Sequence, residues 1–504
     1  MKLPHSLLAR HRSCILPLFL ILIAVGLRLL GLESLPYRVD GDSSRFALDG
    51  MAAWQNNIPI FGTGWMGHTN LYFYIVGVFM HSVESPLLGI RILSALGGIA
   101  GVIATYFFAR KYFSQQIGNW ALLALAVLPF HLVFSRNGME VIWMTFFAPF
   151  AFLQAAKNTF RSMLLSGLVT GIAQYFAPGS RLIPILVLLI GVLQLLHKKL
   201  SFKKAIKLYS FWLLGLLIVY SPMLYYFFNN PNDYFLRINM VSIFQEGYIE
   251  QGSLPSMLLD QVIRCSLVFF FPVEGSYMWY VKTPYLDFFA ICLFALGILS
   301  SLKQIKTWQI QFLIFYLTLG IILGGVLTIS SPMPSRYIIL FPAVAVFIAI
   351  GAVTLLNIFK KRIRITVLIA VVLALLLILE SITSYLKHER YLAWEEDINT
   401  QIATYAGRYY KEHNINKDLY FVGGQIMYYD AVPTLRFLTQ KDGIDINIPI
   451  TDFIKNNSQI RNSVFIILPE RYTELVFLQN EYKYGVSKEV KNPLGQTLFW
   501  IFEV

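Results

Sequence analysis

Only three cysteines, Cys14, Cys265 and Cys292, occur in 504 residues, each in or beside an apolar stretch and none in the polar carboxyl-terminal part. Neither a disulfide framework nor a Cys-x-x-Cys metal site can be drawn from them. Charged side chains are also scarce, at 14% of the chain. The sequence lacks a GxxxxGK[ST] loop, a GxGxxG after a strand, an HExxH and a GxSxG. Nucleotide-driven transport and zinc hydrolysis thereby lose most of their support.

What the chain has instead is apolar bulk: 56% hydrophobic residues, 15% aromatics and a mean hydropathy of +0.59. That leaves too little polar surface for a soluble protein and makes this a polytopic membrane protein. The net charge of +13 comes from Lys and Arg clustered between apolar runs, the pattern of cytoplasmic loops rather than of a nucleic-acid surface. Apolar runs lie near 13–32, 90–109, 117–134, 139–156, 162–177, 181–197, 207–228, 284–302, 309–329, 336–357 and 365–386, eleven in all. Most are near the roughly 20 residues that a span needs. Arg10, His11 and Arg12 precede the first run and no small-residue cleavage site follows it, which predicts an uncleaved anchor with its amino end in the cytoplasm. Arg110/Lys111, Lys157/Arg161, the 197–207 cluster, Lys303/Lys306 and Lys360 to Arg364 then all fall on cytoplasmic loops. Segment 70–83 is apolar but short, and as a span it would invert the next loops, so it is read as a helix at the outer interface.

The expected architecture is an α-helical polytopic domain over 1–386 and a small extracytoplasmic α/β domain over 387–504. External loops cover 33–89 and 229–283, and the periodicity of Phe46, Ala47, Gly50, Met51 and Trp54 predicts a helix from Ser44 that rests on the membrane. Residues 254–271 suit another interfacial helix. In the tail, a helix is expected at about 394–413, strands at Leu419–Val422 and Val464–Leu468, a helix at 471–482, and a hairpin of 484–491 and 496–503 turned by Asn492-Pro493-Leu494-Gly495. Asn456-Asn457-Ser458 matches a glycosylation sequon and is read as accidental. Gly97 and Gly101 form a GxxxG, read as close helix packing.

The chemistry centres on Asp40 and Asp42, in Tyr37-Arg38-Val39-Asp40-Gly41-Asp42-Ser43-Ser44, directly after the first apolar run. Carboxylates where a span meets water are costly unless they serve something. Asp42 before a helix starting at Ser43 or Ser44 suits an N-cap. It also suits a general base, held ionised by helix-terminal N–H groups, and Asp40 is the alternative. Asp40-Gly41-Asp42 is formally a DxD, the nucleotide-sugar transferase pattern for a divalent metal, but nucleotide sugars are not expected on the outer face. No metal and no cofactor are expected.

Val39-Asp40-Gly41-Asp42 with Ala47-Leu48-Asp49-Gly50, then Phe61-Gly62-Thr63-Gly64-Trp65 and His68-Thr69-Asn70-Leu71-Tyr72, resemble the first external loop of family 39 glycosyltransferases. These are the protein O-mannosyltransferase and aminoarabinose-transferase relatives of GT-C fold. Further similarity lies in Arg91-Ile-Leu-Ser-Ala-Leu, in the run from Pro129 to Gly138, in Tyr175 to Arg181, and in Ser335-Arg336-Tyr337 followed by Pro342. By order and spacing the resemblance covers roughly residues 1–360. It implies a transferase of the bacterial cytoplasmic membrane that takes a sugar from a polyprenyl monophosphate and gives it, with inversion, to an acceptor hydroxyl or phosphate. Members usually carry an Asp-Glu pair in this loop. Counting from Leu48-Asp49 without a gap puts the Asp on Asp42 with Ser43 in place of the Glu; a shift of two gives Asp40 and Gly41.

A departing lipid phosphate calls for permanent cations. The resemblance places Arg336 near that phosphate, with Tyr337 offering a hydroxyl. Arg237 and His68 are further phosphate candidates, His68 because relatives often show a basic residue there. Arg136, Glu140 and Arg181 are candidates for the substrate site, an Arg136–Glu140 ion pair being the structural alternative. Trp65, Tyr72 and Tyr74 are available to shape a sugar site, although aromatics here ordinarily anchor the interface. The acceptor is a lipid, a protein or a polysaccharide, and neither it nor the sugar is legible. Competing functions are a ligase using polyprenyl-pyrophosphate glycans, a lipid or solute transporter, which should show repeated halves and mid-span charges, and a non-catalytic relative.

Overall fold

Each apolar run folds as helix. The structure is a computed structural model that describes residues 5–245, 248, 253–273, 283–413, 417–424, 427–457 and 460–504; Ser458 of the sequon and the side chain of Cys14 lie outside the described residues. The chain divides into two compact units, Met1–Glu33 with Ala53–Leu386, and Ser34–Ala52 with Lys387–Val504.

Six helices among the described residues are long and apolar enough to cross a membrane: Pro86–Tyr112, Pro178–Leu196, Phe202–Asn229, Trp308–Val326, Pro334–Ile358 and Ile363–Trp394. A seventh is Gln115–Val127 with Pro129–Arg136, bent by 59°. The other four expected spans are shorter apolar helices, Ile15–Leu29, Glu140–Ala155, Phe160–Ala173 and Phe288–Leu302. At about 1.5 Å per residue, a 14-residue helix such as Phe160–Ala173 covers only about 21 Å. Segment 70–83 is the helix Asn70–His81, packed so closely on the next helix that a Cβ on Gly89 would lie 2.6 Å from Met80 Cα.

Small residues bring the helices together. A Cβ on Gly97 would meet the Trp143 ring at 2.9 Å and one on Gly101 would meet Thr145 Oγ1 at 2.1 Å, so the GxxxG is a packing face. The Phe160–Ala173 and Phe202–Asn229 helices cross backbone to backbone, with the Gly167 position 1.9 Å from Trp212 O and the Gly215 position 2.2 Å from Leu164 O.

The bend at Pro129 has a partner that the hydropathy pattern does not reveal. Proline has no N–H, so the Leu125 carbonyl loses its helical donor. Arg28, fully buried in the first helix, supplies it. Its Nη2 donates to Leu125 O at 3.2 Å and its Nη1 to Ala126 O at 3.0 Å and Ala24 O at 3.1 Å. His131 Nδ1 at 2.7 Å and Ser135 Oγ at 3.2 Å complete the shell. A buried cation is tolerable only when so fully bonded.

The second unit holds a five-stranded sheet: β1 (Asp418–Val422), β2 (Ile444–Asp445), β3 (Ser463–Ile467), β4 (Val486–Lys491) and β5 (Thr497–Glu503), in the order β2-β1-β3-β5-β4. β2, β1 and β3 are parallel, and β5 and β4 add an antiparallel hairpin. The turn works as the sequence predicts: Asn492 Oδ1 accepts from the Leu494 and Gln496 amides, each at 3.1 Å, and Gly495 takes a φ of 83°. Strand alternation serves two cores. Leu419, Phe421, Val464, Ile466 and Ile501 meet Ile402, Ala406 and Tyr410 of the Ile398–Glu412 helix. Val422, Phe465, Ile467 and Phe502 meet Leu475 and Leu478 of the Tyr472–Glu481 helix.

Segment 34–52, read above as the start of the first external loop, is part of this second unit. Its helix runs from Gly41 to Trp54 with Phe46, Ala47 and Gly50 buried. It starts two to three residues before the Ser43 or Ser44 expected from sequence, which moves the N-cap from Asp42 to Asp40. Asp40 Oδ1 accepts from Ser43 N at 2.9 Å and its main-chain carbonyl accepts from Ser44 N at 3.1 Å.

Candidate active site

The starts of the Glu140, Pro178 and Pro334 helices and the end of the Trp308 helix meet around one space. There a cavity of about 480 Å³ opens, lined among others by His68, Glu140, Arg181, Arg237, Thr328 and Arg336. It is of the size of small-ligand sites. Its remaining lining is chiefly apolar, from Met144, Leu182, Ile185, Ile238, Phe244, Leu323 and Ile339.

Local structure fixes each polar group. Residues 62–70 turn back on themselves: Gly64 N donates to His68 O at 2.8 Å, Asn70 N to Gly62 O at 3.0 Å, and Thr63 bridges Thr69. Met66 and Gly67 take φ of 50° and 76°, the left-handed region that suits the glycine. His68 emerges from this turn 4% exposed, its ring stacked 6.0 Å from Trp65. Burial, and then the positive charge of Arg237, push its imidazole down to about 3. It is therefore neutral, and its 3.7 Å approach to Glu140 is a polar contact rather than an ion pair. Glu140 is 2% exposed and opens the short turn Glu140–Trp143.

Arg237 lies on the Pro231–Val241 helix, one turn after Asp233. Asp233 Oδ2 accepts from Thr63 Oγ1 at 3.0 Å and from Tyr226 Oη, tying the two loops together. Arg237 Nη1 reaches Met66 Sδ at 3.1 Å. The helix ends in an antiparallel bridge, with Ile243 N donating to Leu327 O and Ile329 N to Val241 O. Arg336 is held from the same strip, its Nη1 donating to Ile329 O at 2.6 Å. The neighbouring span widens into a π-turn over Ile322–Val326, placing Gly324 beside Arg336. Arg181 lies over the Tyr234 ring at 4.2 Å. Its Nη1 is buried and has no hydrogen-bond partner among the described residues.

Three guanidiniums, a neutral imidazole and one carboxylate therefore face one mainly apolar space, a setting for an anion that carries a long apolar group. Of the expected residues, His68, Arg237, Arg336, Glu140 and Arg181 meet here. Tyr337 does not: it is fully buried, its hydroxyl donates to Cys265 O at 3.1 Å, and its ring packs on Phe269 and Tyr285. Arg136 closes the end of the first helix, donating to Leu27 O at 2.6 Å and Leu30 O at 2.9 Å, and it is absent from the cavity wall. Asp40 and Asp42 belong to the other unit. Asp40 is 7% exposed, and its Oδ2 accepts from Ser43 Oγ at 2.9 Å, so both its carboxylate oxygens serve the helix start; Asp42 lies in the first helical turn. Sequence reasoning missed Asp233, Thr328 and the Gly320/Gly324 pair; the glycines at the end of an otherwise bulky span were the available signal.

Residues 67–226 match the family described as dolichyl-phosphate-mannose-protein mannosyltransferase. No curated protein matches the sequence. Among solved structures, the chain is similar to ArnT from Cupriavidus metallidurans bound to undecaprenyl phosphate, with 12% identity and a TM-score of 0.58 over 97% of this chain and 98% of that one. The same protein in the apo state gives 12% identity and 0.55 over 98% of each chain. The archaeal oligosaccharyltransferase AglB from Archaeoglobus fulgidus, in complex with an inhibitory peptide and a dolichol-phosphate, gives 14% identity and 0.54 over 97% of this chain and 74% of that one. The likeness to these structures shows a shared fold, and the family match over residues 67–226 agrees with the resemblance read from the sequence motifs.

Proposed function

We propose that this multi-pass membrane glycosyltransferase takes its sugar from a polyprenyl monophosphate and delivers it, with inversion, to an acceptor on the extracytoplasmic face of a bacterial cytoplasmic membrane. The observation that carries the reading is the convergence of Arg181, Arg237 and Arg336, from three distant parts of the chain, on one apolar-walled cavity. The structural likeness to a protein bound to undecaprenyl phosphate supports the same donor class.

In this reading the acceptor oxygen attacks the anomeric carbon, the carbon–oxygen bond to phosphate breaks, and the polyprenyl phosphate leaves with the electron pair. The acceptor proton passes to a carboxylate, assigned to Asp42 because the ungapped count from Leu48-Asp49 sets it on the Asp of the resembled motif. The arginines neutralise charge as it gathers on the leaving phosphate. Glu140 and neutral His68 offer hydrogen-bond acceptors to sugar hydroxyls.

The test is transfer of a labelled sugar from polyprenyl monophosphate in membranes that contain the chain, with Asp42→Asn and Arg336→Gln in parallel. Transfer lost in both variants is expected. Transfer surviving Asp42→Asn removes the base, and use of a pyrophosphate-linked donor instead makes the chain a ligase. Mass spectrometry of envelope glycans after deletion of the protein would identify the acceptor.

A further inference from the structure

The residues that precede the proposed base are held by side chains from the far end of the sequence. Val39 is the anchor. Its amide donates to Thr404 Oγ1 at 3.2 Å, and its carbonyl accepts from Thr434 Oγ1 at 2.9 Å. The same Thr434 Oγ1 lies 3.0 Å from Ser44 Oγ and accepts its hydrogen when the Ser44 hydroxyl turns to it from Asp40 O, the other acceptor in reach at 2.8 Å. Thr434 is 0% exposed and Thr404 1%, so these hydroxyls have no water to fall back on. Upstream, Arg408 Nη2 donates to Tyr37 O at 3.0 Å and stacks its guanidinium 4.6 Å from the Tyr37 ring.

We infer that the carboxyl-terminal unit is a working part of the transfer chemistry, in which Thr434, bridging Val39 and Ser44, is the positioning residue that sets the register of the helical turn carrying Asp42. The physical argument is one of placement. Asp42 sits between two fixed points, Val39 and Ser44, and both are bonded to one buried hydroxyl. Ser43 is committed to Asp40, so it is the Thr434 bridge that ties this turn to the sheet domain. A tail that only selected the acceptor would have no reason to hold the main chain on either side of the base.

The inference rests on the assignment of Asp42 as base, and its test uses the full chain in membranes. Thr434→Val removes the hydroxyl and keeps the shape. It is expected to lower the transfer rate about tenfold or more while the donor KM stays within about twofold, since misplacing a catalytic group costs turnover rather than binding. Thr434→Ser is expected to restore the rate to within about threefold. Unchanged turnover in Thr434→Val, or a Thr434→Ser rate no better than that of Thr434→Val, would overturn the proposal. A second measurement is independent of activity: amide exchange at Ser43 and Ser44 should quicken about tenfold in Thr434→Val, and unaltered exchange would also overturn it. If Asp42→Asn itself transfers sugar, the function reading fails, whereas the exchange result still decides whether Thr434 holds the turn.

Discussion

Ser43 gives both its hydrogens to one carboxylate: its amide donates to Asp40 Oδ1 and its hydroxyl to Asp40 Oδ2, each at 2.9 Å. The two aspartates of this loop therefore part company. Asp40→Ala should lower stability by about 1 kcal/mol or somewhat more through loss of a buried cap, with transfer falling only as far as the folded fraction does. Asp42→Asn should leave the melting temperature within a degree or two and abolish transfer. Thermal unfolding beside labelled-sugar transfer separates the two, and the reverse pattern would exchange the roles.

Arg181, Arg237 and Arg336 should each matter for the lipid phosphate and little for folding. Replacing one by Gln should weaken polyprenyl phosphate binding about 10- to 100-fold, as expected for a charge-assisted bond of about 1.5–3 kcal/mol. Arg264, exposed and paired with Asp260 at 2.8 Å, is the control and should change nothing measurable. Equal losses in all four would mean that the effect is general charge.

His68 ties stability to pH. Its pKa is about 3 in the folded chain against the usual 6.5, so between these values the unfolded chain binds a proton that the folded chain refuses. The stabilisation is complete above pH 6.5 and drains away as the pH falls toward 3. His68→Gln should flatten this part of the profile, read as the difference in melting temperature between pH 7 and pH 4.5 relative to the parent. A parallel profile in the variant would refute the assignment.

The crossing at Gly167 and Gly215 tolerates no side chain. Gly167→Val would drive its Cβ against Trp212 O, 1.9 Å away. Folded protein recovered in detergent should fall severely, whereas Gly26→Val, whose Cβ would lie 3.7 Å from Leu30 Cδ1, should be mild.

Chelation should be harmless. With both Asp40 oxygens accepting from Ser43, the Asp-Gly-Asp run is poorly placed to share a divalent cation. Transfer in EDTA should equal transfer in magnesium, and a loss restored by added metal would contradict this.

Much of the helical framework was legible because burial in lipid demands long apolar runs and backbone self-satisfaction, which leave a strong trace. The hairpin at Asn492–Gly495 was legible because turn geometry dictates its residue types. Arg181, Arg237, Arg336, His68 and Glu140 could be named singly, but their meeting depends on which helix ends coincide. The cap at Asp40 escaped because a two-residue shift of a helix start leaves periodicity unchanged. Arg237 was read only as part of the second external loop, where Pro231 opens the helix that carries it. The bond of Val39 to Thr434 spans 395 positions, and no local pattern announces a contact that distant.

Arg28 meets two of its acceptors, Leu125 and Ala126, 97 and 98 residues further along the chain. During synthesis the first helix must therefore await its counterpart, with only Ala24 of its own helix to accept from the guanidinium. Chains cut after residue 33 should be held poorly in the bilayer and cleared quickly, whereas chains cut after residue 136 should persist, and Arg28→Leu should erase that difference. A charge that looks misplaced in the finished protein would then act as a timer for its assembly.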